Sequence, residues 1–294
     1  LALQLGVATS AVAGAPWDER THALGAIADI PTGVLSKNEL EKLMETGEAL
    51  FGAHFTALDG VGRPQATQAI DPTRRKHPRE QGFFRTAGPD AGSCAACHNQ
   101  PAMGGAGDFV TNVFASEGFE SADFDSLDPQ FSSERGTNHI FGAGLVELLA
   151  REMSLELQSV RSEALSKARS TGDAVRLRLE AKGVDFGYIS AEPDGSVNLD
   201  ELDGVDTDLV IRPFSQKGVM TSLRQFTINA LNQHHGMQAG ERFGARWTGS
   251  DDFDGDGKSA EISAADVSAL VAWQATLPAP VQMVPEAAGW AGSR

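Results

Sequence analysis

The sequence predicts a mainly α-helical fold with long loops and one small β-hairpin element. A capping box at Ser36–Glu39 is followed by apolar residues at helical spacing. A second helix start, Ser263, precedes an apolar run that Pro278 closes. Between these two helices, residues 186–199 alternate between apolar and polar side chains and carry a turn signal at 194–195, which is typical of a hairpin.

The remaining elements follow from local signals along the chain. Apolar residues from Leu40 to Phe55 recur at helical spacing, which predicts about four turns of helix. Residues 60–89 are polar and contain proline and arginine, so we expect a long loop there. The apolar run at 141–149 is expected to become helical. Further segments are predicted as follows: an amphipathic helix at 155–169, a short strand at 209–211, and helices at 222–231 and 263–276.

Composition limits the classes of partner. The formal net charge of -16 disfavours a nucleic acid, which is itself a polyanion, and suits a basic protein partner. No apolar stretch reaches the roughly 20 residues that a membrane-spanning helix needs, so we expect a protein that does not span a membrane.

The first residues have the character of an export signal. Residues 1–15 are mildly apolar and end in Ala13-Gly14-Ala15, a pattern of small residues found at signal cleavage sites. We therefore predict that 1–15 is a residual signal peptide and that the protein is exported to the periplasm. A short apolar helix of the folded protein is the alternative.

The two cysteines form one motif. Cys94 and Cys97 are three positions apart, and His98 follows directly, which is the attachment signature of a c-type haem. Two thiols at this spacing can reach both vinyl groups of a porphyrin, and the adjacent imidazole can then bind the iron. A zinc site would need further ligands, a redox dithiol would need a βαβ context, and a plain disulfide would not require His98.

The second iron ligand is less constrained by sequence. Methionine and histidine are the usual candidates, and the segment 234–237 supplies both kinds of side chain. Our first candidate for the distal ligand is Met237, and the second is His234. Met220 is a further candidate. A distal position without a protein ligand would instead leave the iron open to peroxide or oxygen.

An acidic loop near the last helix resembles a calcium site. Its candidate ligands are Asp252, Asp254, Asp256, the Lys258 carbonyl and Glu261. Alternating acidic residues followed by glycine are typical of the first half of an EF-hand loop. Position 12 of that loop, which should be Glu, is Ser263, while Glu261 stands at position 10. The alternative is a solvated acidic turn that precedes the helix.

Several of these segments together resemble one family. They are SCAACHNQPAMGGAG at 93–107, residues 142–148, RPFSQKGVMTSLRQF at 212–226, HHGMQAGERF at 234–243, and residues 252–280. In this order they resemble the di-haem oxidoreductases, called peroxidases or thiol oxidoreductases, which are related to bacterial di-haem cytochrome c peroxidases. The resemblance implies a cytochrome c-like haem domain over 36–280, with the calcium-like loop at 252–263.

The chain departs from this family in one respect. A member should carry a second CxxCH motif, and no cysteine follows Cys97. We therefore expect that the chain is the N-terminal portion of a longer protein, with 281–294 as a linker toward a missing second haem domain. A natural single-haem relative is the alternative.

The function implied by the resemblance is electron transfer. The haem would serve as the electron-transfer part of a di-haem peroxidase-like oxidoreductase, with a redox protein such as a small basic cytochrome as partner. The alternative is a stand-alone periplasmic electron carrier without catalysis. Three cations of the family-like block, Arg212, Lys217 and Arg224, are candidates for binding a haem propionate.

Overall fold

A computed structural model of the chain describes residues 34–56, 58–61, 92–108, 110–115, 132–215, 218–253, 255 and 257–281. Helices account for about 44% of it, and a small three-stranded antiparallel sheet accompanies them. A mainly α fold with a small β element is therefore confirmed. The signal-like segment 1–15, the greater part of the loop at 60–89 and the segment 282–294 lie outside the described residues.

The elements follow one another in this order. The α-helices are α1 (Lys37–Gly52), α2 (Cys94–Cys97), α3 (Ala143–Thr171), α4 (Leu223–Ala230), α5 (Gly240–Phe243), α6 (Ala245–Thr248) and α7 (Ala264–Thr276). One turn of π-helix, Leu231–His235, continues directly from α4. The strands are β1 (Val110–Ala115), β2 (Ser132–Gly136), β3 (Val175–Ala181), β4 (Val184–Ala191) and β5 (Val197–Asn198).

The predicted capping box at Ser36 forms, and the predicted helix start at Ser263 forms a capping box as well. The Ser36 hydroxyl accepts the Glu39 amide at 3.3 Å, and the Glu39 carboxylate accepts the Ser36 amide at 2.7 Å. At α7, Ser263 and Asp266 make the same reciprocal pair at 3.1 and 2.9 Å. Each box satisfies two backbone groups that a helix start would otherwise leave without a partner.

Removal of the α7 cap gives a testable stability effect. Asp266 is 3% exposed and also accepts the Ser263 hydroxyl at 2.7 Å. We expect Ser263→Ala to lower the free energy of unfolding by about 1–2 kcal/mol, measured by urea denaturation. Ser36→Ala is the matched control at an exposed cap and should cost less. An equal loss in the two variants would contradict a special role for the buried cap.

The first hydrophobic core lies where α1 crosses α7. Gly47 faces the backbone of Ala269 so closely that an added Cβ would lie 2.0 Å from its carbonyl oxygen. The rings of Phe51 and Trp273 meet one turn further on, with centroids 4.6 Å apart. The buried members of this core are Leu50, Phe51, Phe55, Ile228, Leu231, Met237, Ala239, Ile262, Val267, Ala269, Leu270 and Trp273.

A second core lies between α3 and the sheet β3-β4-β5. Its buried residues are Leu157, Ala164, Ala168, Leu179, Ala181, Phe186, Ile189, Ala191 and Leu209. The strands are antiparallel neighbours, with Val175 opposite Ala191 and Ser190 opposite Asn198. The predicted hairpin is the β4–β5 pair, so that prediction is confirmed.

Two predictions differ from the structure in this region. The helical segments expected at 141–149 and 155–169 are one helix, α3, which has no break between them. The strand expected at 209–211 does not form, because Leu209 adopts a left-handed φ of 57° and turns its buried side chain into the second core. The Ile211 amide then donates to the Ser154 hydroxyl at 2.9 Å and not to a strand.

The start of α3 packs on the end of α7 and so connects the two cores. An added Cβ on Gly144 would lie 2.1 Å from the Ala275 carbonyl oxygen, and the Gly142 amide donates to Leu277 at 3.2 Å. β1 and β2 form a separate antiparallel pair, with Val110 opposite Gly136. Among the described helices, none combines the length and the apolar character that crossing a bilayer requires.

Candidate functional site

The CxxCH motif folds into a single capped helical turn. The Ser93 hydroxyl accepts the Ala96 amide at 3.0 Å, and the His98 amide donates to the Cys94 carbonyl at 3.0 Å. Cys94 and Cys97 are half-buried within this turn, α2, and are not joined in a disulfide. The turn packs against α1 and so lies beside the first core.

His98 is oriented by the loop that follows it. Its Nδ1 atom lies 3.2 Å from the Gly105 carbonyl oxygen, which can only accept, so Nδ1 carries the proton. The other ring nitrogen, Nε2, then keeps its lone pair for a metal, as in metal-binding histidines generally. Burial lowers the pKa of His98, which favours the neutral imidazole that a metal requires.

The glycines after the motif allow this loop to close. An added Cβ on Gly105 would lie 1.9 Å from the Gln100 carbonyl oxygen. Gly104 has a left-handed φ of 89°, and its amide donates to His98 at 2.9 Å. The close approach is therefore between two parts of the same loop.

The π-turn that follows α4 brings two histidines to the motif. Isolated π-turns occur preferentially at functional sites. Burial, and next the charge of nearby His98, lowers the pKa of His234 to about 4. His235 is 4% exposed and lies with its Nε2 atom 3.8 Å from the Cys94 sulfur. Its ring also packs on Phe55, with centroids 5.6 Å apart.

The two predicted distal-ligand candidates lie in different environments. His234 is close enough to His98 for the two charges to interact. Met237 is 1% exposed and belongs to the first core, with its amide donating to the Leu231 carbonyl at 3.0 Å. Met220, the further candidate, forms an isolated antiparallel bridge with Phe214.

The acidic loop is described in part, since Asp254 and Asp256 lie outside the described residues. The Asp252 carboxylate accepts the amides of Gly255 and Gly257 at 2.9 and 3.1 Å. Glu261 accepts the Gln238 amide at 2.6 Å, and Lys258 is half-buried. Calcium binding by this loop stays a prediction.

The candidate propionate ligands take part in ion pairs. Arg212 binds Asp206 at 3.1 Å and also Asp208. Arg224 pairs with Glu241 at 2.5 Å and donates to the Ser268 hydroxyl at 2.9 Å. Lys217 lies outside the described residues.

Sequence reasoning missed His235. The signal for it was present, because two adjacent histidines stand within the segment proposed for the distal ligand. Adjacent residues of a regular α-helix point about 100° apart, so the side chains of His234 and His235 are not expected to face the same site. The π-turn nevertheless holds His235 3.8 Å from the Cys94 sulfur, and His234 interacts electrostatically with His98.

Comparison with known proteins gives no assignment, since no family model, curated protein or solved structure matches the chain. Within the described ranges, no three His, Cys, Asp or Glu side chains are grouped so that they could hold a metal ion by themselves. A haem is a different case, because its porphyrin supplies most of the iron's ligands.

Proposed function

We propose that the chain holds a covalent haem c on Cys94 and Cys97, with His98 as the proximal iron ligand, and serves in electron transfer. The observation that supports this most strongly is the capped CxxCH turn whose histidine is already oriented by Gly105. A protein supplies binding, orientation and electrostatics to a haem, and the haem supplies the redox chemistry.

The surrounding helices are compatible with a cytochrome c-like domain. The CxxCH turn follows α1, and α7 crosses α1 through the close contact of Gly47 with Ala269. Ala95 and Cys94 lie against the first core, so apolar side chains back the turn. This environment would shield one edge of a porphyrin from water, which helps to set its potential.

We further propose His234, the second sequence candidate, as the distal ligand in preference to Met237. The electrostatic interaction of His234 with His98 supports this assignment, and the lowered pKa of His234 would keep its imidazole neutral at pH 7. Met237 is enclosed by apolar side chains of the first core. Ligation by two histidines fills both axial positions, which suits electron transfer and disfavours peroxide binding at this iron.

The physiological role is proposed from the family resemblance. The haem would be the electron-transfer part of a di-haem peroxidase-like oxidoreductase in the periplasm, reacting with a redox partner protein. The net charge of -16 supports a basic partner. A stand-alone electron carrier is the alternative. A second CxxCH motif encoded after Arg294 would favour the oxidoreductase, and a stop codon would favour the carrier.

The haem assignment is tested by producing the chain in cells that attach c-type haem. We expect the protein mass to rise by one haem after denaturation, together with a pyridine haemochrome spectrum of the c type. The double variant Cys94→Ala/Cys97→Ala should lose all covalent haem. His139→Gln, at an exposed histidine stacked on Phe141, is the matched control and should keep it. Unmodified wild-type chain would contradict the proposal.

A further inference from the structure

His235 is placed as a partner of the first haem-attachment cysteine. Its Nε2 atom lies 3.8 Å from the Cys94 sulfur, within the range of a sulfur hydrogen bond. The two residues are far apart in sequence, so the tertiary fold creates this contact. The imidazole is 4% exposed and therefore has little freedom to turn away.

Both partners of this contact are held by separate structures. Cys94 is the first residue of the turn that Ser93 caps, and Ser93 is itself buried. His235 is fixed by the π-turn and by its packing on Phe55. The Phe55 amide donates to the Gly92 carbonyl at 2.8 Å, which ties this ring to the segment just before the motif.

We infer that His235 is a positioning residue for thioether formation at Cys94, an inference that rests on the proposed haem function. Before attachment, the Cys94 S–H donates to the His235 Nε2 atom and is held in one rotamer. The sulfur then adds to the α carbon of a haem vinyl group, the thiol hydrogen passes to the β carbon, and the vinyl π bond is lost. The addition needs no external oxidant or reductant.

The protonation of the thiol agrees with this arrangement. Burial raises the pKa of Cys94 to about 12, so the sulfur keeps its hydrogen at neutral pH and can act as a donor. The contact with His235 limits the rotamers of the sulfur, and a fixed approach of the reacting atoms raises the rate of addition.

The test counts the thioether bonds of each variant. Haem-free chain is mixed with reduced protohaem, and the rate of bond formation at Cys94 is followed by mass spectrometry of the haem peptide. His235→Leu should form the Cys94 bond at least about tenfold more slowly than wild type, while the Cys97 bond forms normally. Cys94→Ala is the reference for a haem held by one thioether bond, at Cys97. A haem with one thioether bond also has its pyridine haemochrome band at longer wavelength.

Two further variants separate positioning from general structural damage. His235→Gln keeps an oxygen that can accept the S–H and should restore part of the rate. His139→Leu removes an exposed imidazole that stacks on Phe141 and should behave as wild type. If both thioether bonds form at the wild-type rate in His235→Leu, the role of His235 is overturned while the proposed haem function stands. Absence of any covalent haem in the wild type would instead overturn the proposed function.

Discussion

Replacement of His234 by alanine is expected to convert a low-spin, six-coordinate haem into a high-spin form that binds cyanide. The reason is that the substitution removes the imidazole that we propose as the distal ligand, a side chain whose pKa is lowered by burial and by the charge of His98. If the native distal site is open less than about 10% of the time, full opening should strengthen apparent cyanide affinity at least tenfold. Electronic and EPR spectra of the ferric protein would measure the change.

Met237→Leu is the matched comparison for this prediction. The substitution conserves volume in the first core and should cost less than about 1.5 kcal/mol of stability. The low-spin spectrum should persist, because His234, the proposed distal ligand, is retained. A high-spin spectrum in Met237→Leu, with a normal spectrum in His234→Ala, would reverse the assignment and restore methionine ligation.

Gly47→Ala is expected to be strongly destabilising, although alanine favours a helix. Helix propensity alone would stabilise the variant by up to about 1 kcal/mol. The new Cβ, however, would lie 2.0 Å from the Ala269 carbonyl oxygen and 2.8 Å from the Trp273 Cβ atom. Backbone cannot move aside as a flexible side chain can, so α1 and α7 must separate. We expect a net loss of about 3 kcal/mol in the free energy of unfolding.

Thermal or urea denaturation would measure this loss, with Tm lower by roughly 6–12 °C for a chain of this size. The control is Gly136→Ala, since a Cβ at Gly136 meets no atom within 4 Å and its φ is not left-handed. Its Tm should stay close to that of the wild type. Equal stability of Gly47→Ala and the wild type would mean that the crossing is looser than described.

The elements that local sequence specified were predicted well. The starts of α1 and α7 are encoded by reciprocal hydrogen bonds between residues three positions apart, so Ser36 and Ser263 sufficed to locate them. The turn at 194–195 likewise has a local signal, and the hairpin formed there. The CxxCH motif is also local, whereas the helical turn that it forms, α2, was not predicted.

The remaining features depend on contacts between distant segments. Strand β3 was not predicted, although the alternation in Val-Arg-Leu-Arg-Leu is a strand signal. Leu209 was assigned to a strand, yet burial in the second core overrides its β propensity. The environments of His234 and Met237 arise from the π-turn and from α1, so neither could be ranked from the segment 234–237 alone.

The crossing of Gly47 with Ala269 has a consequence for biosynthesis. The two helices that make this contact stand near opposite ends of the described chain, and neither can bury its apolar face on the other until α7 has been synthesised. Contacts of such long sequence separation form slowly, because a large loop must close before they are gained. The nascent chain therefore leaves its cysteine turn without the backing of the α1–α7 pair until α7 has been synthesised, so this part of the first core is completed late, after the second core can already have formed.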